Sequence, residues 1–196
     1  MITANKSKLF NKIVVSSDSN KILKISQKYI DYRIKRPKNI SGNTTPKILA
    51  IQHALRKSEK YFGNEFDIIF DLDVTAPLRK VIDIKKAYSV FLKKKSQMLF
   101  SVCKSKKNPY FNMVEKKNDK IKLIKEPDEA IYARQKAPEV FDINASIYIW
   151  KRKNLVNLTS FYSGKTSIYE MPIERSIDID SVFDWKLVEF LQKKND

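Results

Sequence analysis

In the segment SIDIDSVFD, Asp178 and Asp180 stand two apart, interleaved with Ile177 and Ile179. Side chains alternate between faces in an extended strand, so both carboxylates would project one way and both isoleucines the other. Two carboxylates on one face form a hard oxygen donor set. It suits a cation such as Mg²⁺, which takes one or two carboxylates and keeps water or phosphate oxygens for the rest. The plainer alternative is a solvent-facing strand with incidental acids. A second acidic pair, Asp71 and Asp73 in FDLDVTAPLR, closes an apolar run. There the bland reading is a carboxylate satisfying backbone amides at a strand end, with Arg79 anchoring the turn. His53 stands alone on a helical pattern, and Cys103 lies in an apolar run without a partner motif, so neither is assigned chemistry. The three glycines, Gly42, Gly63 and Gly164, form no G-x-G-x-x-G or G-x-x-x-x-G-K-[ST] phosphate cradle.

These residues need elements to hold them. The β-branched runs NKIVVSS, FDIIFDLD and QMLFSVC read as buried strands, and DINASIYIW as a fourth. Helical spacing appears over 19–30, with Ser19 as N-cap, and over 47–62, 82–95 and 182–194. In the last of these, Val182, Trp185, Leu187, Val188, Phe190 and Leu191 form the apolar set. Residues 34–46 read as a loop, 106–142 as an inserted hairpin or arm, and 166–180 as extended chain. Alternating strands and helices predict an α/β fold with a mostly parallel sheet, as one domain over 1–196 that carries the arm. In such sheets ligands sit beyond the carboxyl ends of the strands, which places Asp71, Asp73, Thr75 and Arg79 at the expected site.

The chain holds 39 basic and 22 acidic residues, a net charge of +17. That balance favours polyanionic partners such as nucleotides or nucleic acid. The lysines are spread along the chain, however, and no zinc-finger, RNA-binding or zipper pattern accompanies them. Nucleic acid and membrane are therefore not expected as partners, and no apolar run is long enough for a transmembrane helix. A single cysteine permits no internal disulfide, in keeping with a reducing compartment.

The blocks KLFNKIVVSSDS, RPKNISGNTTP, DLDVTAPLR, NPYFNMVE, RQKAPEVFDINASIYIW and YEMPIERSIDIDSVFDW together resemble, in order, the acylneuraminate cytidylyltransferases. RQ-x-AP…NASIY and ERSIDID look most like the branch that activates legionaminic acid. The resemblance spans essentially the whole chain. It implies a three-layer α/β/α sandwich similar to other sugar nucleotidyltransferases. It implies transfer of CMP from CTP to the anomeric hydroxyl of a nonulosonic acid, with Mg²⁺ as cofactor and pyrophosphate released. It further implies a cytoplasmic homodimer whose protomers exchange the arm.

Carried onto this sequence, the resemblance makes Asp178 and Asp180 the metal-binding, catalytic pair. Arg36, Thr45 and Lys47 match positions around the cytidine, with Lys47 departing from the more usual serine or threonine. Asp73 stands where some relatives contact the sugar. Arg134, Gln135 and Asn144 match the arm motif that reaches the sugar, where an arginine fork suits a carboxylate. Tyr148 matches a tyrosine of that pocket, and Phe161 and Tyr162 an aromatic pair on the acyl group. Read alone, Tyr148 is a strand residue of either face, and the aromatic pair is simply core.

Family members open with a strand and a loop similar to PARGGSKGIPxKN, whereas ITANKSKLF matches the end of the first family helix. The expectation is a chain short of that strand, leaving edges unpaired beside 12–17 and 66–73. An upstream start, a decayed gene or a strand from another chain would each account for it. Besides the transferase, a catalytically inactive relative that binds nucleotide, sugar or a sister subunit stays open as an alternative, followed by a basic nucleic-acid-binding protein.

Overall fold

A computed structural model describes all 196 residues except 43, 128, 130, 158–163 and 194–196. In chain order the elements are α1 (Ile2–Ser7), β1 (Val14–Ser17), α2 (Asn20–Ser26), β2 (Tyr32–Lys35), α3 (Lys47–Phe62), β3 (Ile68–Leu72), α4 (Val81–Lys93), β4 (Met98–Lys104), β5 (Val114–Lys117), β6 (Lys120–Leu123), β7 (Phe141–Lys151), α5 (Arg152–Val156), β8 (Thr166–Glu170) and α6 (Val182–Lys193). The central sheet has the order β3-β7-β4-β8. β7 is antiparallel to both β3 and β4, and β8 is parallel to β4. Three of the four strands thus run one way and β7 runs against them.

Alternation along β4 sorts the core into two layers. Met98, Phe100 and Val102 face Ile51 and Leu55 of α3, together with Leu155 of α5, Tyr148 and Trp150. Leu99 faces the other way, onto Ile84, Ala87 and Phe91 of α4, with Ile147, Ile149 and Tyr169. Leu9 and Phe10, just after α1, pack on that second face. Helices on both faces of a mixed sheet make the expected three-layer sandwich. Burying each large apolar side chain in these layers is worth about 1.5–3 kcal/mol.

β1 and β2 pair in parallel as a separate two-stranded sheet. Among the described residues, β1 and β3 each keep one edge without a ladder partner. β3 is correspondingly half-buried along its whole length, whereas six of the seven residues of β4 are buried. Residues 32–35 form β2, with Ile34 turned inward, so Ile34 and Lys35, expected to open the loop over 34–46, belong to the strand instead. The arm carries the expected hairpin, β5–β6, closed by Asn118 and Asp119, both left-handed. That is the geometry of the tight turn whose twist matches paired strands.

Two expectations are corrected. The stretch 166–180 is laddered only to Glu170 and then turns through a 3₁₀ segment, Ile173–Arg175. The aspartates of SIDID therefore do not share a strand face. Of the apolar set of α6, Val188 is buried, while Val182, Trp185 and Phe190 lie exposed.

Candidate functional site

The carboxyl ends of β3, β4 and β8 and the start of β7 share one edge of the sheet, since Leu72 pairs with Ile147, Lys104 with Phe141 and Val102 with Glu170. Most of the candidate residues gather along this edge. At the β3 end the chain turns through Asp73 and Thr75. The Thr75 hydroxyl donates to Asp73 Oδ1 at 3.2 Å. Lys47 opens α3 immediately after Pro46. A cation at a helix N-terminus opposes the macrodipole, and here it is compensated. Its Nζ lies 2.6 Å from Asp71 Oδ2 and 2.7 Å from Asp73 Oδ2. The same Nζ stands 4.8 Å above the Tyr148 ring. Lys47, Asp73 and Tyr148 are thus brought together, with Asp71 as fourth member. Tyr148 itself is buried and stacks on Trp150 at 5.6 Å.

Burial opposes charge on both partners of this pair, and the pair overrides it. Lys47 is held above its usual range by Asp71 and then Asp73. Asp73 is held below its usual value of 3.8 by Lys47, with help from Thr75. The lowered carboxylate contributes stability that is present above its unfolded-state pKa and is lost as pH falls through the folded one. The raised lysine contributes stability that is present below its unfolded-state value and is lost only in strong alkali. Lys47→Met is therefore expected to destabilise the chain near neutrality and by a smaller margin at pH 3. Urea denaturation of both chains at the two pH values checks this, and an equal loss at both would sink it.

Next along the edge, β7 bulges. Phe100 pairs with Tyr148 but Val102 with Ile143, so extra residues of β7 are accommodated between them. Ala145 at the crest has φ 50°, the left-handed region that non-glycine residues rarely occupy. Polar bonds hold the bulge in place. Ser101 Oγ donates to Asn144 Oδ1 at 2.6 Å and accepts from Ile147 N at 2.8 Å. Arg79 donates to the Ser146 carbonyl and, at 3.0 Å, to Ser146 Oγ, and its other arm reaches the Asp73 carbonyl at 3.1 Å. Arg79 is thus the anchor of the turn that the sequence suggested. Asn144 is buried, and its amide donates to Ser176 Oγ at 2.9 Å. It therefore ties β7 to the segment that carries the aspartates.

That segment, 176–181, lies against the β3 turn, where Ile179 N donates to Thr75 O at 2.9 Å. Asp178 and Asp180 flank this tie. Asp178 Oδ1 is buried and accepts no hydrogen bond. A carboxylate oxygen removed from water without a donor is costly. Asp180 is exposed, and its backbone N–H donates to Asp184 Oδ2 at 3.3 Å. Among the described residues no three His, Cys, Asp or Glu side chains converge to enclose a metal. Two carboxylates that leave the remaining positions to water and phosphate are nevertheless the habit of Mg²⁺.

The other candidates are spread more widely. Arg134 and Gln135 sit in a short 3₁₀ turn of the arm, and both are exposed. Arg134 Nη2 donates to the Lys106 carbonyl at 2.9 Å, just beyond β4. It lines a hollow of about 410 Å³ with Lys104, Glu170 and Met171. Arg36 follows β2 directly and donates to the Ser16 carbonyl of β1 at 2.7 Å, so its visible role is to pin that pair of strands. The Thr45 N–H donates to the Gly42 carbonyl at 3.0 Å, just ahead of α3. Phe161 and Tyr162 lie outside the described residues. Burial pushes the Cys103 thiol up, in keeping with a core residue.

Sequence reasoning passed over Asp83 and Arg175. Asp83 is wholly buried, and Arg175 grips it through Nε at 2.9 Å and Nη2 at 2.8 Å. Burial, then Asp83, pushes the neighbouring Tyr169 phenol up to about 12. An acid in the first turn of a helix was a visible capping signal, but nothing in the sequence linked it to an arginine 92 residues away.

Set beside known proteins, residues 2–193 match the sequence profile of the family described as Cytidylyltransferase. The chain is 39% identical over 195 residues to post-translational flagellin modification protein B of Campylobacter coli, covering 99% of this chain and 82% of that one. It is 40% identical over 192 residues to the CMP-N,N'-diacetyllegionaminic acid synthase of Campylobacter jejuni, covering 97% and 81%. Its fold matches that of CMP:2-keto-3-deoxy-manno-octonic acid synthetase complexed with CTP, with a TM-score of 0.63 at 12% identity over 97% of this chain and 86% of that one.

Proposed function

The chain belongs to the cytidylyltransferase family, and on that premise we propose that it transfers CMP from CTP to the anomeric hydroxyl of a nonulosonic acid of the legionaminic or sialic type, releasing pyrophosphate. The observation that carries the reading is the buried, unpartnered Oδ1 of Asp178 at the strand-end edge, beside the Asp73–Thr75 turn. A legionaminic-acid synthase among the relatives supports the sugar class.

On this reading Asp178 and Asp180 would hold Mg²⁺, with the unpartnered Asp178 Oδ1 as one of the oxygens offered to it. Bound there, the ion would neutralise triphosphate charge and polarise the α-phosphorus or the attacking hydroxyl. The chain's own residues do the rest. Thr75, Asn144 and Arg79 fix the aspartate segment and the bulge. Lys47 is held charged over Tyr148 by Asp71 and Asp73. Arg36 and Thr45 bound the cytidine side from β2 and the approach to α3. Arg134 presents its fork to the sugar's carboxylate from the arm, with Gln135 beside it. The site is proposed to work in a cytoplasmic homodimer, where CTP is at hand. No described helix is long and apolar enough to cross a membrane.

Calorimetric titration of CTP, with ATP as control, into the chain plus Mg²⁺ tests the reading. Selective CTP binding that is lost on Asp178→Ala/Asp180→Ala is the expected result. A folded chain that ignores CTP would overturn it, leaving a relative that binds sugar or a sister subunit. For Arg134→Ala, the expected outcome is a KM for the nonulosonic acid raised roughly tenfold or more, with kcat changed less, because a charge-assisted hydrogen bond contributes about 1.5–3 kcal/mol. Steady-state kinetics with the sugar varied decide it. An unchanged KM would remove Arg134 from the pocket.

A further inference from the structure

We infer that the buried Asp83–Arg175 pair sets where Asp178 and Asp180 point, so that both are positioning residues; this rests on the metal reading above. Among the described residues, 176–181 have no strand neighbour, so point contacts fix their course. Asp184 holds the far end through the Asp180 and Ser181 amides, and three contacts tie the near side to α4, β7 and the β3 turn. Arg175 grips Asp83, Ser176 Oγ accepts from Asn144, and Ile179 N donates to Thr75 O. The first differs in kind from the others.

Asp83 is 0% exposed, and both of its oxygens are filled. Oδ2 accepts from Arg175 Nε at 2.9 Å and from Lys80 N at 2.9 Å. Oδ1 accepts from Arg175 Nη2 at 2.8 Å and from the Tyr169 hydroxyl at 3.2 Å. A planar fork gripped at two points fixes the rotation of the guanidinium as well as its place. The carboxylate it grips is fixed in turn by the first turn of α4 and by β8. Arg175 closes the 3₁₀ turn three residues ahead of Asp178. The fork therefore aims the chain just before it enters the site. Apolar residues would stabilise such a buried spot as well or better, whereas a directional lock needs the ion pair.

The test compares the full chain with Arg175→Gln and with Arg175→Lys, which keeps the charge and loses the fork. Two readouts are taken. One is hydrogen exchange at the Ile179 amide, with the Ile147 amide in β7 as internal reference. The other is Mn²⁺ binding followed by water-proton relaxation. The expected result is Ile179 exchange faster by about tenfold or more with Ile147 unchanged, together with Mn²⁺ affinity lowered by about tenfold. Arg175→Lys serves alone where Arg175→Gln does not fold. Parent-like Ile179 protection in a folded variant overturns the inference, whatever Mn²⁺ does. Lost Ile179 protection in a chain whose parent also fails to bind Mn²⁺ upholds the positioning and sinks the metal reading instead.

Discussion

Asp178→Ala is expected to cut CMP transfer to below about a hundredth of the parent rate, an effect of the size seen when a charge-stabilising contact is removed from a reacting centre, while leaving stability intact or slightly raised. The two halves of this outcome have one cause. Asp178 Oδ1 is buried without a hydrogen bond, so in the metal-free fold it is a cost with no return. Alanine removes that cost, and it removes the ligand along with it. Stability and activity should therefore move in opposite directions, as they do where a site is held in a strained state for function. Two measurements check it. Pyrophosphate release at saturating CTP and Mg²⁺ gives the rate. Thermal unfolding with and without Mg²⁺ gives the linkage: the parent's midpoint should rise with the ion, and the variant's should not. A variant that keeps its rate and its Mg²⁺ response would remove Asp178 from the chemistry.

Asp83→Ala is expected to produce the largest loss of stability of any single change at a charged residue. Breaking a buried pair from one side costs about 3–5 kcal/mol, because the remaining charge is left without its partner. For a domain of this size that is roughly a 6–20 °C fall in unfolding midpoint. The cost is concentrated at Asp83 because its carboxylate is wholly buried and answers four donors at once, from Arg175, Lys80 and Tyr169. Surface pairs such as Lys116–Asp119 have no such leverage. Calorimetry of the two chains settles it, and a shift under about 2 °C would show that the pair is freely solvated.

What could be read in advance was whatever rests on local periodicity. Helix α3 occupies 47–62 as its spacing predicts, and Gly63 ends it with φ 70°. β3, β4 and β7 lie where the β-branched runs stand. The reversed direction of β7 was not legible, since a buried strand has the same apolar pattern whichever way it runs. β2 escaped notice because four residues with one inward side chain, Ile34, cannot establish an alternation. SIDID misled in the opposite way. Its alternation is that of a strand, but the turn at Ile173–Arg175 and the tie from Ile179 to Thr75 take it off the sheet. The individual site residues came from the resemblance to a family. Their contacts did not: Lys47 meets Asp73 across 26 positions, and Asn144 meets Ser176 across 32. Such meetings depend on the completed sheet and leave no mark on neighbouring residues.

The place of β7 in the sheet also sets a clock. It lies between β3 and β4, yet it is made well after both, beginning about seventy residues beyond the end of β3. At a ribosomal pace of about 5–20 residues per second, β3 waits roughly 3–14 s for the neighbour that covers one of its edges. During that interval the run Ile68-Ile69-Phe70 is an apolar strand with nothing alongside it. The nascent chain is therefore most exposed to wrong pairing while the arm is being translated. The length of the arm lengthens that delay, so a shortened hairpin should emerge from synthesis with a larger soluble fraction.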